Sequence, residues 1–145
     1  MDDREALDLI DTELAMLVRR ATSFSIDKSL GRMDRSAYLL LNRIITRANV
    51  GVRALADEFH LDISTVSRQI SALEQKGYVR RIPDPSDGRA YFFEVTDIGR
   101  RDLLEYKQAR LARITQRLRG WSAEELDRFA GLLGKFNRTL DEQMD

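Results

Sequence analysis

Residues 52–96 read VRALADEFHLDISTVSRQISALEQKGYVRRIPDPSDGRAYFFEVT, and the punctuation of this stretch decides the fold. Residues 52–59 place Val52, Leu55, Ala56 and Phe59 at the i, i+3, i+4, i+7 spacing of a buried helical stripe. Ala56 is small at its centre, so a second helix can cross closely. His60-Leu61-Asp62 breaks the period. Asp62 suits an N-cap, since a carboxylate there accepts from the free N–H groups of the next turn and complements the helix dipole. Residues 63–76 then bury Val66, Ile70 and Leu73, and Gly77 is placed to stop them in the left-handed region. Two helices joined this tightly, with a small residue where they cross, read as a helix-turn-helix.

Ser64, Thr65, Ser67, Arg68 and Ser71 lie off the buried stripe of the second helix. Exposed helix faces are ordinarily filled with Glu, Lys and Gln, because Ser and Thr are poorer helix formers. A helix entering the major groove instead needs short donors and acceptors near its N-terminus. It also needs a long cation that reaches a guanine edge or a phosphate. This face fits that need better than it fits a solvated surface.

After Gly77, residues 78–82 and 90–95 are strand-like, and Pro83-Asp84-Pro85-Ser86-Asp87-Gly88 between them is dense in turn formers. The expected hairpin carries Arg89 near its tip and Arg80 and Arg81 at its base. An arginine on a rigid β-tip can enter a narrow minor groove, where the negative potential is enhanced. Asp87 is positioned to brace the Arg89 guanidinium by a charge-assisted hydrogen bond.

Across residues 55–99, the runs LADEF, STVSR, LEQKGYVRR, DPSDGRA and VTDIG together resemble the winged helix-turn-helix of the MarR family of bacterial transcriptional regulators. The resemblance implies that Arg89 is the wing arginine and Asp87 its bracing aspartate, with Ser64, Thr65, Ser67 and Arg68 at the recognition-helix contact positions. Gly88 departs from the pattern, since the family often carries a second basic residue there.

The remainder of the chain is organised around this unit. At 145 residues it is long enough for one domain with helical extensions, and 43% hydrophobic with 33% charged residues suits a helix-rich protein with a core. The expected class is mainly α with a small β-hairpin wing (α+β). The expected division is residues 1–33 as an N-terminal dimerisation helix and connection, 34–98 as the winged helix-turn-helix, and 99–145 as C-terminal dimerisation helices. No apolar run approaches the ~18 residues of a membrane span. Asp2-Asp3-Arg4-Glu5 after Met1 is the opposite of a signal peptide's basic start, so a cytoplasmic, nucleoid-associated protein is expected. The absence of cysteine excludes disulfides, thiolate metal sites and thiol redox sensing together.

Net charge is zero, and the distribution is more informative than the sum. Six acids against Arg4 give residues 1–15 a charge of −5, and seven cations against five acids give residues 64–101 a charge of +2. The cations gather where the motif would meet DNA; the acidic end stays away from it. Salt-sensitive binding of moderate non-specific affinity is expected.

Residues 4–24 carry Leu7, Ile10, Leu14, Leu17 and Ala21 as a heptad-like seam. A polar connection containing Gly31 follows, then a helix over residues 34–48 with Ala37, Leu40, Leu41, Ile44 and Ile45 on one face. Val50 and Val52 fit either a short strand or the lead-in to the next helix. Beyond the wing, Asp97 is placed to cap a helix running to about residue 119. Leu104, Leu111, Ile114 and Leu118 form its seam, with Trp121 just beyond. Ser122-Ala123-Glu124-Glu125 is a capping box, opening a last helix with Leu126, Phe129, Leu133, Phe136 and Leu140 in line.

Three apolar seams outside the helix-turn-helix need partners that one small chain cannot supply, so a homodimer is expected. A two-fold dimer sets two recognition helices about one DNA turn (~34–36 Å) apart and predicts a palindromic operator. The alternative is a monomeric bundle folded on itself. Catalysis is not expected: His60 is the one histidine and sits in the turn, and no metal-ligand spacing, phosphate loop or nucleophile elbow is present. No cofactor or metal is implied. The expected function is a sequence-specific regulator, in the sense of a repressor, modulated by a small ligand. The resemblance implies phenolic or other aromatic anions as ligands, and Phe24, Met33, Tyr38, Leu41 and Arg43 are the candidate contacts. The alternatives are a winged-helix protein-binding or architectural module without operator specificity, and a ligand-responsive protein without DNA function.

Overall fold

The computed structural model describes residues 1–24 and 33–144, with the backbone only at residues 22–24. The connection around Gly31 and the side chain of Phe24 therefore lie outside the described residues. Among those described, six helices and one hairpin follow in order: α1 (Asp3–Phe24), α2 (Arg35–Thr46), α3 (Val52–Phe59), α4 (Ile63–Gln75), β1 (Val79–Asp84), β2 (Asp87–Val95), α5 (Asp97–Arg117) and α6 (Ala123–Met144). The molecule is mainly helical with a two-stranded antiparallel wing, as expected. None of the described helices is long and apolar enough to cross a membrane.

The core is built where four short elements converge. Ala37, Leu40, Leu41 and Ile44 of α2 meet Leu55 and Ala56 of α3, Val66, Ile70 and Leu73 of α4, and Val79, Phe93 and Val95 of the wing. Leu103 and Tyr106 of α5 close it. Asp34 caps α2, its Oδ1 accepting from the Ala37 N–H at 2.8 Å. α3 ends on His60, which adopts the left-handed conformation (φ 53°). That reversal, rather than a glycine, makes the turn of the helix-turn-helix.

Val50 forms no strand. It is buried, and its carbonyl accepts from the Phe93 N–H at 3.3 Å, which ties the lead-in of α3 to the outer edge of β2. Gly77 (φ 78°) ends α4 as expected, and the chain turns directly into Tyr78, which is fully buried. The Tyr78 hydroxyl donates to Asp102 Oδ2 at 2.8 Å, its N–H donates to the Leu73 carbonyl, and its carbonyl accepts from the Thr96 N–H. One residue thus joins the end of α4, the base of the wing and the second turn of α5.

Two capping expectations are corrected. The N-cap of α5 is Thr96, not Asp97: its hydroxyl accepts from the Gly99 N–H at 3.1 Å and donates to the Gly77 carbonyl at 2.5 Å. A threonine serves both ends of that bond where a carboxylate could only accept. Asp62 does occupy the N-cap position of α4, but its side chain makes no capping hydrogen bond. The Ser122–Glu125 capping box forms as read, with reciprocal bonds of 2.9 and 3.1 Å.

α5 has an inner apolar face besides the seam read from the sequence. Leu104 and Leu111 point outward, while Leu103 and Tyr106 are the residues that enter the core. α5 is apolar on two sides, and the periodicity caught the outer one. On α1, Leu7, Ile10 and Leu17 are at least half exposed in the single chain, and α6 has no buried residue along 22 positions.

Candidate nucleic-acid interface

α4 stands on the core through Val66, Ile70 and Leu73, and that anchorage turns the opposite side outward. Ser64 and Arg68 are exposed, and Thr65, Ser67 and Ser71 are half-buried at the margins of the same face. Arg68 Nη2 lies 3.4 Å from the Thr65 hydroxyl, so the one cation of the face is held over its first turn. The five residues expected to read bases therefore share one accessible surface.

The wing is paired from Val79↔Val95 through Pro83↔Tyr91, with an irregularity between Pro83 and Asp84. Its strands extend further toward the tip than the sequence suggests. The turn is ordered by carboxylates: Asp84 Oδ1 accepts from the N–H and hydroxyl of Ser86 at 2.9 and 2.8 Å. Asp87 Oδ1 accepts from the backbone N–H of Arg89 at 3.0 Å. This Asx turn braces the main chain of Arg89 rather than its guanidinium. Arg89 is exposed, and among the described residues its guanidinium has no protein partner.

Arg80 and Arg81 are differently placed. Arg80 reaches across the hairpin to Glu94 Oε2 at 2.8 and 3.1 Å. Arg81 Nε bridges both oxygens of Glu74 on α4 at 2.9 and 3.0 Å, and its guanidinium lies over the rings of Tyr91 and Phe93. The Arg81–Glu74 pair fixes the angle between wing and recognition helix. It is an exposed pair, so it sets geometry more than stability.

A cleft of about 610 Å³ runs between wing and helices, lined by Arg53, Arg81, Arg89, Ser67, Ile63 and Tyr91 among others. Arg53 was missed in the sequence. It lies in the first turn of α3, which contains no acid and is capped by Gly51 without a side-chain bond. A cation at the positive end of a helix dipole is unfavourable for the helix alone, and that mismatch was the available signal. Arg53, Arg89 and the free N–H groups of α3 thus give the cleft a positive wall suited to a phosphate backbone.

Comparison with known proteins gives the same answer. Residues 33–91 match the model of the MarR family. The chain is 40% identical over 141 residues to the HTH-type transcriptional regulator YxaD of Bacillus subtilis (strain 168), covering 97% of this chain and 99% of that one. The chain belongs to the MarR family. A second relative, the HTH-type transcriptional regulator BilQ of Clostridioides difficile (strain CD3), is 34% identical over 76 residues, about half of each chain. Among solved structures, the transcriptional regulator SlyA superposes with a TM-score of 0.73 at 23% identity, covering 93% of this chain and 96% of that one. BldR from Sulfolobus solfataricus does so with 0.72 at 26%, covering 95% and 99%. As a MarR-family member the chain is a DNA-binding transcriptional regulator, not an enzyme.

Four of the five residues considered for an effector site have described side chains. Met33 and Leu41 are core residues, Leu41 with no exposed surface at all. Arg43 pairs with Glu58 of α3 at 2.9 Å. Tyr38 packs against Tyr106 with ring centroids 5.4 Å apart, and Arg110 lies over both rings. Among the described candidates, Tyr38 and Arg43 are half-buried and keep accessible surface, and each already has a neighbour.

Proposed function

We propose that the protein is a homodimeric repressor that reads a palindromic operator through two recognition helices and two wings. The observation that carries the reading is the shared surface of Ser64, Thr65, Ser67, Arg68 and Ser71 beside an unpartnered Arg89. Short hydroxyls take base edges or phosphates at close range, and Arg68 takes guanine or phosphate. Arg89 enters the adjacent minor groove, while Arg53 and the N-terminus of α3 hold the backbone between them. Arg80 and Arg81 act by fixing the wing. The seams of α1, α5 and α6 (Leu7, Ile10, Leu14, Leu17; Leu111, Ile114, Leu118; Leu126, Phe129, Leu133, Phe136, Leu140) bury one another across the two-fold axis, and residues 34–98 are the reading unit between them. A small aromatic anion that binds between the two parts and changes the spacing of the reading units would release the operator. Of the described candidates, Tyr38 and Arg43 retain the access such a ligand needs.

The test is Arg89→Ala in a binding titration against a selected operator. A loss of roughly 1–3 kcal/mol with a shallower salt dependence is expected. An unchanged footprint would point instead to a protein-binding winged helix.

A further inference from the structure

Arg89 does not sit at the apex of the wing. Consecutive pairs of the ladder join Pro83 to Tyr91 and Asp84 to Asp87, so Gly88, Arg89 and Ala90 stand out of β2 with no partner on β1. A bulge re-aims the side chain it carries. This one is fixed and slim. The Asp87 carboxylate accepts from the Arg89 N–H at 3.0 Å, and the residues on either side of the arginine carry no more than a methyl group.

Nothing in the free protein requires glycine at position 88. Its φ lies outside the left-handed region, unlike that of Gly77 at 78°. A Cβ added at Gly88 meets no heavy atom within 4 Å, whereas one at Gly99 would lie 2.4 Å from a carbonyl oxygen. At such a position alanine stabilises a chain, because glycine gives the unfolded state more freedom to lose. The space that the Cβ would fill is open and adjoins the exposed Arg89, on the surface that meets DNA when Arg89 does. Glycine suits a close approach of the backbone to a ligand.

We propose that Gly88 is a specificity-determining residue: the bare backbone beside Arg89 lets the wing sink into a minor groove narrowed by A·T-rich sequence, and a side chain at position 88 holds the arginine off. This rests on the operator reading proposed above, in which Arg89 enters the minor groove. A narrowed groove concentrates negative potential on the guanidinium but leaves little width for anything else. Even the ordinary minor groove is only about 6 Å wide. The selection is for groove width rather than for a base edge, since A·T and T·A present the same acceptors there.

The test takes a duplex enriched from a random pool by the wild-type protein and replaces the segments flanking its half-sites by A-tract, G·C-rich or I·C-rich sequence. Inosine removes the 2-amino group of guanine from the minor groove and leaves the major-groove edge of a G·C pair. Wild type should bind the A-tract and I·C flanks about tenfold more tightly than the G·C flanks. Gly88→Val should bring that preference within about twofold by weakening on the narrow flanks alone. Gly88→Ala should lose part of it while raising the thermal midpoint by about 1–4 °C, which separates the effect from misfolding. Arg89→Ala should weaken binding to the A-tract duplex about tenfold. If Arg89→Ala weakens binding but wild type does not distinguish the flanks, or Gly88→Val keeps the preference, the inference is overturned and the operator reading stands. If Gly88→Lys binds every flank more tightly with the preference intact, position 88 lacks only a phosphate contact, and the inference is likewise overturned. If Arg89→Ala leaves binding unchanged, the wing does not read the groove and both fall.

Discussion

At the scale of single residues, position in the wing decides what an arginine does. Arg80, Arg81 and Arg89 lie within ten residues of one another, yet the first two are engaged by Glu94 and Glu74 while the third is open. Arg89→Ala should therefore lower DNA affinity without changing the urea midpoint. Arg81→Ala should disturb binding by loosening the wing against α4, with a similar loss at high and low salt. Gly99 presents a sharper case. A Cβ there would lie 2.4 Å from the Tyr78 carbonyl oxygen and 2.8 Å from Val95 Cγ1, so the first turn of α5 must move if any side chain is added. Gly99→Ala should cost about 1–3 kcal/mol by denaturant unfolding. Tyr78→Phe should cost about 1 kcal/mol or slightly more, because Asp102 loses a donor that water only partly replaces. None of these partnerships was legible in the sequence. Glu74, Glu94 and Asp102 look like ordinary surface acids until the hairpin register and the α4–α5 angle bring them to their partners.

At the scale of elements, local rules were read well and shared faces were not. The ends of α3 and α4, the stop at Gly77 and the Ser122–Glu125 box follow from caps and periodicity within a few residues, and the structure repeats them. Thr96 was passed over for Asp97 because both are acceptable N-caps, and only the nearby Gly77 carbonyl favours a hydroxyl that can also donate. In α5, Leu103 and Tyr106 were hidden by the stronger outward pattern of Leu104 and Leu111, since a helix serving two interfaces has no single apolar stripe. Caps predict measurable losses. Asp34→Ala, which removes the acceptor for the Ala37 N–H, should destabilise the domain by about 1 kcal/mol. The last helix carries a pH dependence of its own. The Glu125 carboxyl is held below its ordinary value of 4.5, first by the backbone N–H of Ser122 and then by the Ser122 hydroxyl. A depressed carboxyl stabilises the folded state above its unfolded value and loses that contribution as pH falls through its folded value. The start of α6 should thus fray in acid below about pH 4.5, seen as faster amide exchange at residues 123–126, and Glu125→Gln, which removes the titrating carboxyl, should abolish the pH step.

At the scale of the whole molecule, the single chain leaves long apolar seams exposed, which supports the proposed homodimer. The core around Leu41, Leu55 and Val66 is complete, whereas α1 presents leucines such as Leu7 and Leu17 to solvent and α6 presents leucines and phenylalanines along its length. A 16.7 kDa chain should run in light scattering at twice that mass, and Leu14→Asp in the α1 seam should shift it to monomer with the winged unit still folded. The seams were readable as seams because their spacing is regular; which helix meets which is not a matter of spacing. In the proposed dimer, two winged units would share the phosphate contacts that tight binding at physiological salt requires.

The most direct measurement is selection of duplexes by the purified protein from a randomised pool, followed by footprinting of the enriched sequence. The expected result is an inverted repeat whose half-sites are centred about 10 base pairs apart, with protection in two major-groove segments and in the flanking minor grooves. Loss of the flanking protection with Arg89→Ala should follow. Enrichment of no inverted repeat at low ionic strength would contradict the account.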